Sequence, residues 1–65
     1  MVYIVVWAEK AGNVRRAASD VRYDIGAAEQ LAADRSREHD DAYVSEAGTN
    51  KIVQRWQSGK RLGDE

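Results

Sequence analysis

The sequence contains no cysteine, no proline and no phenylalanine. Without cysteine the chain has no disulfide, no thiolate zinc site and no cysteine nucleophile. Without phenylalanine, and with no glycine-flanked aromatic pair, it lacks the motifs by which RNA-recognition sheets stack on bases. The longest apolar run, Val2–Ala8, is far shorter than the about 20 residues of a transmembrane helix. These absences exclude a disulfide-stapled toxin and predict a protein with no membrane span.

The first residues do not resemble a secretory signal peptide. No basic region precedes the apolar run at Val2, and no small-residue cleavage site follows it. The run Val2–Ala8 is instead rich in β-branched and aromatic residues, which favour a strand. We therefore expect a cytoplasmic protein whose N-terminus is part of the fold.

At 65 residues the chain lies near the lower size limit for a domain that folds alone. A domain of this size buries only about 60% of the surface of its unfolded chain. We expect a single α+β domain over residues 1–62 and a polar tail over residues 63–65. Because so small a sheet offers little concave volume for a substrate, we expect no enzyme activity and no cofactor.

Charge is nearly balanced overall, at a net −1, but it is unevenly distributed along the chain. Residues 24–47 contain seven acidic and two basic residues, whereas residues 1–23 and 48–65 each contain four basic and two acidic residues. If these segments form different surfaces, the molecule is electrostatically two-sided. Since nucleic-acid binders usually carry a strong basic excess, protein is favoured over nucleic acid as the partner.

Hydrophobic spacing and turn residues divide the chain into five main elements. The predicted strands are Val2–Ala8, residues 14–23, Ala42–Ala47 and Lys51–Gln57, and the predicted helix is Ile25–His39. Asp24 is placed to cap the helix, and a polar extension follows the turn residues Ser58 and Gly59. The result is a ββαββ order, which predicts a four-stranded antiparallel sheet with one helix packed on one face.

Residues 14–23 fit two structures. As a helix, they would be capped by Asn13 and would place Val14, Ala17, Ala18 and Val21 on one apolar stripe. As a strand, they would pair with the first strand through the turn residues that precede them. The short length and the hairpin-like turn favour the strand.

One helix covers one face of the sheet, so the other face is left to solvent or to a partner. The residues predicted on this uncovered face are Tyr3, Trp7, Tyr43, either Arg15 or Arg16, and either Arg55 or Trp56. The last choice stays open because a slip of one residue inverts a strand. A face of aromatic and arginine residues suits a protein contact or single-stranded nucleic acid, or it closes by homodimerisation.

The segment Glu38-His39-Asp40-Asp41 contains residue types that bind metals. Successive residues of a helix point about 100° apart, so these side chains do not converge on one ion. His39 is the single histidine of the sequence, and no serine or carboxylate is paired with it in a catalytic pattern. We therefore predict no metal site and no catalytic residues.

Tyr23-Asp24 precede an alanine- and glutamate-rich helix, and the chain continues with Asp41-Ala42-Tyr43-Val44 and Lys51-Ile52-Val53-Gln54-Arg55-Trp56. In size and in this pattern the chain resembles the small ββαββ proteins encoded by bacteriophages and mobile elements, some of which are anti-CRISPR proteins. The resemblance implies an inhibitor that acts by covering a surface of a host nucleic-acid machine.

The expected function is therefore a non-enzymatic protein-interaction module. Two surfaces are candidates for the contact: the aromatic sheet face and the acidic side of the helix, formed by Asp34, Glu38, Asp40 and Asp41. Single-stranded nucleic-acid binding on the sheet and a structural homodimer are the alternatives.

Overall fold

The computed structural model describes residues 1–63, in which one α-helix lies against a five-stranded antiparallel sheet. The elements are β1 (Tyr3–Ala11), β2 (Val14–Arg22), α1 (Ile25–His39), β3 (Asp41–Glu46), β4 (Lys51–Gln57) and β5 (Lys60–Leu62). The strand order is β2-β1-β3-β4-β5, so β3 is the middle strand, β1 and β4 flank it, and β2 and β5 are the edges. The predicted α+β class is confirmed, but the predicted count of four strands is wrong.

The additional strand is β5, where the sequence predicts only a polar extension. Ser58 and Gly59 both have positive φ, at 51° and 83°, and together they reverse the chain in a two-residue turn. Residues 60–62 then pair with residues 55–57 of β4. Three mostly polar residues give no hydrophobic pattern, so pairing at this sheet edge has no signal in the sequence. Of the predicted tail 63–65, residues 64 and 65 lie outside the described residues.

Residues 14–22 form a strand, as the hairpin turn favours. Gly12, with φ of 64°, and Asn13 form a two-residue loop between β1 and β2. A type II′ turn needs positive φ at its first central position, and glycine provides this without strain. Strands β1 and β2 then pair in continuous register over nine residues, from Ala11 opposite Val14 to Tyr3 opposite Arg22. This pairing overrides the helical preference of the alanine pair.

Helix α1 begins and ends at the predicted residues. The Asp24 side chain accepts a hydrogen bond from the Ala27 N–H at 3.2 Å and so satisfies one of the free amides of the first turn. At the other end Asp40, with φ of 77°, ends the helix immediately before β3. Buried Ala28 and Ala32 bring the helix backbone close to the sheet, and Leu31 supplies the larger apolar side chain.

The core lies between α1 and the neighbouring strands β1 and β3. Its sheet side is built from two cross-strand pairs, Val5 opposite Val44 and Trp7 opposite Ala42. Residues opposite each other in an antiparallel pair share a face, so these pairs define the helix face of the sheet. The other surface, on which Ile4, Val6 and Tyr43 lie, is called the open face below.

Candidate interaction surface on the open face of the sheet

Tyr3 and Trp7 do not lie on the open face, contrary to the sequence prediction. Trp7 is 8% exposed in the core, and half-buried Tyr3 packs against the same cluster. The Trp7 indole Nε1 donates to the Glu9 carboxylate at 3.0 Å, and the Arg35 guanidinium lies 5.1 Å from the ring centroid. Odd and even residues of β1 are both apolar, so the pattern does not say which side the helix covers.

The register settles which of Arg55 and Trp56 faces outward. Arg55 lies opposite Tyr43 and is exposed on the open face, whereas Trp56 lies opposite buried Ala42 and packs against the core. A bulge at Val44 and Ser45 shifts the register of the β3–β4 pair. Tyr43 and Arg55, both candidate residues for the sheet-face contact, are thus neighbours on the open face.

A chain of polar contacts holds Trp56 on the helix face. Its Nε1 donates to the Gln54 side-chain oxygen at 3.0 Å, and the Gln54 amide donates to the Glu29 carboxylate at 3.0 Å. Gln54 is buried between strand and helix, so these partners satisfy groups that would be costly to bury alone. This role of Gln54 was not predicted, although a polar residue at a core-facing position is the signal for it.

Aliphatic side chains dominate the open face instead of the predicted aromatic ones. Strand alternation and register place one aromatic residue, Tyr43, on this face. They also place seven aliphatic residues there: Ile4, Val6, Ala8, Ala17, Val21, Ile52 and Leu62. All of them are half-buried or exposed, and none of the described residues packs over them as a second layer. The open face is therefore a partly apolar surface in contact with solvent.

A groove of about 350 Å³ crosses the middle of this face. The open-face side chains around it are Val6, Ala8, Ala17, Asp41, Tyr43, Arg55 and Leu62. The groove spans all five strands because Ala17 lies in the edge strand β2 and Leu62 in the opposite edge strand β5. Its walls are mainly apolar, and Arg55 and Asp41 provide charge beside Tyr43. This arrangement suits an apolar side chain that has an acidic neighbour.

Charge on the open face is mainly positive. Strand alternation gives it the cations Lys10, Arg15, Arg55 and Lys60, and one carboxylate, Asp41. Lys10 lies 3.9 Å from the Asp40 carboxylate, whereas Arg15, Arg55 and Lys60 form no ion pair with residues 1–63. The open face therefore attracts acidic groups.

The four acidic residues of the second predicted surface do not form one patch. Asp34 and Glu38 lie on the exposed side of α1, where each pairs with an arginine of the same helix, Arg37 at 2.8 Å and Arg35 at 2.9 Å. Asp40 is near Lys10, and Asp41 lies on the open face. The prediction of a shared acidic surface is wrong because pairing neutralises the helix carboxylates and β3 carries Asp41 to the opposite side.

Asp20 and Arg22 occupy the outer edge of β2. The Asp20 carboxylate accepts from the Val21 N–H at 2.8 Å and lies 3.1 Å from Arg22, whose guanidinium also donates to the Val21 carbonyl at 2.7 Å. The Val21 amide, and after it Arg22, lower the pKa of the Asp20 carboxyl below its usual value. Asp20 therefore stays ionised at neutral pH.

Within residues 1–63, no helix is both long and apolar enough to cross a membrane. In the same part of the chain, no cluster of three histidine or acidic side chains is placed to hold a metal ion. Comparison with protein-family models, with curated proteins and with solved structures gave no match to this chain.

Proposed function

We propose that this chain is a non-enzymatic protein-interaction module that binds its partner through the open face. The observation that carries the proposal is the groove at Val6, Tyr43 and Leu62, an apolar surface beside Arg55, which forms no ion pair within residues 1–63. Tyrosine and arginine are among the residue types that contribute most to protein interfaces when they lie near the centre. Tyr43 and Arg55 are opposite each other across β3 and β4, close to the middle of the sheet.

The chemistry of the face defines the partner. The apolar groove accommodates an aliphatic or aromatic side chain, while Arg15, Arg55 and Lys60 favour carboxylates around it. Complementary charge steers association and selects against basic surfaces. The proposed partner is therefore a protein that presents an apolar residue within an acidic surface.

Inhibition of a host nucleic-acid machine is the form of this function that the resemblance to phage-encoded proteins implies. The open face, with its basic character, would then cover an acidic protein surface of that machine. The helix side, with its carboxylates paired to arginines, would face away from the contact. This part of the proposal depends on the resemblance, whereas the choice of surface depends on the geometry.

Single replacements in the groove are expected to weaken partner capture strongly. In Tyr43→Ala and Arg55→Glu, loss of the ring and reversal of the charge should each weaken binding by about tenfold or more. The measurement is quantitative mass spectrometry of host proteins retained on immobilised wild-type and variant chains. Retention by the wild-type chain and loss by both variants identify the open-face partner.

The control for this experiment lies on the helix. Asp34→Lys with Glu38→Lys reverses the outer charge of α1 without touching the open face. A partner retained by this variant and lost by the groove variants supports the proposal. A partner lost with the helix variant, or retained by all the groove variants, contradicts the choice of surface.

Single-stranded nucleic acid is the second candidate because of the cations on the open face. Binding platforms for single strands stack successive bases on several aromatic side chains. Trp7 and Trp56 are turned toward the helix, which leaves Tyr43 on the open face. We expect at most weak binding of a deoxythymidine oligonucleotide, abolished by moderate salt. Tight binding in a salt titration, lost in Tyr43→Ala, would replace the protein-partner proposal.

A further inference from the structure

Within the described part of the chain, no strand pairs with the long outer edge of β2. Strand β2 pairs with β1 along one side over nine residues, and it is the outermost strand of the sheet. The opposite edge, β5, has only three residues. Edge strands carry a row of free N–H and C=O groups, so another strand is able to pair with them. Because β2 contains no bulge and no proline, its edge is regular enough to do so.

Backbone hydrogen bonds between β1 and β2 alternate along the strands, and this alternation shows which N–H and C=O groups of β2 point away from β1. A two-residue hairpin loop closes with a hydrogen-bonded pair, here Ala11 and Val14, and such pairs recur at every second residue. Even-numbered residues of β2 therefore bond to β1, and the odd-numbered residues point outward. The contacts of Val21 agree, because its N–H and C=O are bonded to the side chains of Asp20 and Arg22.

We propose that a second copy of this chain pairs with this edge, antiparallel, about a two-fold axis at Ala18. Arg16 of each copy then lies opposite Asp20 of the other. The outward residues pair completely, because Arg15 meets Val21 and Ala17 meets Ser19. The short side chains of the two Ala18 residues meet at the axis, where bulkier ones would crowd.

Charge complementarity selects this register over its neighbours. A two-fold axis at Ala17 places Arg16 opposite Ala18 and forms no ion pair. An axis at Ser19 places Arg16 opposite Arg22, and like charges directly opposite each other destabilise a strand pair. The axis at Ala18 gives two symmetric Arg16–Asp20 pairs. Arg16 is available for them, since it forms no ion pair with residues 1–63.

Pairing requires Asp20 and Arg22 to release the backbone of Val21. In the single chain these side chains occupy its N–H and C=O at 2.8 and 2.7 Å. In the dimer the same two groups of Val21 bond to the backbone of Arg15 in the second copy. The Asp20 carboxylate then pairs with Arg16 of that copy instead of with Arg22. Asp20 and Arg22 therefore protect the edge of the single chain, and no hydrogen bond of Val21 is lost when the dimer forms.

The dimer leaves the open face accessible. A two-fold axis perpendicular to the sheet puts both helices on one side and both open faces on the other. Arg55 lies three strands away from β2, about 14 Å across the sheet. The edge contact is therefore independent of the proposed partner surface, and each is testable without the other.

Reversing the charges of Arg16 and Asp20, singly and together, tests the proposed dimer. Sedimentation velocity of the wild-type chain is expected to give twice the mass of 7.3 kDa with rising concentration. Arg16→Asp and Asp20→Arg each place like charges opposite one another, and we expect either to raise the dissociation constant by about tenfold or more. The double variant restores opposite charges and is expected to regain dimerisation. Circular dichroism establishes that each variant is folded.

Two further variants separate the edge from the open face. Ala17→Pro removes a backbone N–H that points away from β1 and forms no ladder hydrogen bond in the monomer. The variant should therefore fold but remain a monomer. Arg55→Glu alters the open face and should leave the dimer intact. A wild-type chain that stays monomeric at about 1 mM overturns the proposal. It is also overturned by folded single variants that still dimerise, or by a folded double variant that does not.

Discussion

Replacement of Trp7 by alanine is expected to remove a large part of the free energy of unfolding of the domain. Removal of a buried tryptophan from a core typically costs about 3–5 kcal/mol. A chain of 65 residues has a total free energy of unfolding of only about 3–10 kcal/mol. The loss is therefore comparable with the stability of the whole domain.

The contacts of Trp7 explain why its effect should be large. The ring fills the space between β1 and α1, whose apolar surface is otherwise built largely from alanines, so no neighbour is able to fill the cavity. Arg35 packs over the ring, and its buried Nε has no hydrogen-bond partner among the described residues. Loss of the ring therefore removes apolar contacts and the cation–π contact together.

Thermal unfolding followed by circular dichroism measures this effect, and Trp56→Ala is its matched control. Trp56 is half-buried on the same face, so its removal should lower the melting temperature much less. A Trp7→Ala chain that melts near the wild-type temperature but fails to bind a partner would contradict a core role for Trp7. It would favour the role that the sequence suggests, an aromatic contact residue.

The position of Trp7 illustrates what the sequence is able to predict. The strand itself is unmistakable, because Val2–Ala8 is apolar and β-branched throughout. The same property conceals its orientation, since Tyr3, Val5 and Trp7 alternate with Ile4 and Val6 without any polar side. The packing of α1 decides it, because Val5 and Trp7 form one buried cluster with Leu31 of the helix. Tyr43 was predicted on the open face and the choice between Arg55 and Trp56 was left open, but the aliphatic character of that face was not predicted.

Local signals were reliable where the chemistry of one residue determines the structure. Asp24 caps the helix and Gly12 makes the hairpin turn, as their types predict. Properties that depend on distant pairing were not predictable. Strand β5 exists because the turn at Ser58 and Gly59 returns the chain to β4, and Asp41 is separated from Asp34 because β3 turns it to the other side.

Replacement of Ser36 by alanine is expected to weaken the attachment of β5 to the rest of the fold. Ser36 lies four residues after Ala32 on the core-facing stripe of α1 and is fully buried. Its hydroxyl donates to the Ala33 carbonyl at 2.9 Å and accepts from the Gly59 N–H at 2.8 Å. It thereby joins the helix to the turn that forms β5. Alanine leaves the Gly59 N–H without its partner, at a cost of about 1–3 kcal/mol.

A small domain loses about 4–8 °C of melting temperature per kcal/mol, so the drop for Ser36→Ala should be on the order of 10 °C. Ser45→Ala is the matched control, because that half-buried hydroxyl makes one longer bond, 3.4 Å to the Ile4 carbonyl. Amide hydrogen exchange supplies a second measurement, in which β5 should lose protection while β1 and β3 keep theirs. Equal melting temperatures for the two serine variants would mean that Ser36 does not hold β5. In that case, the pairing of β5 would depend on the turn at Gly59 and the strand contacts alone.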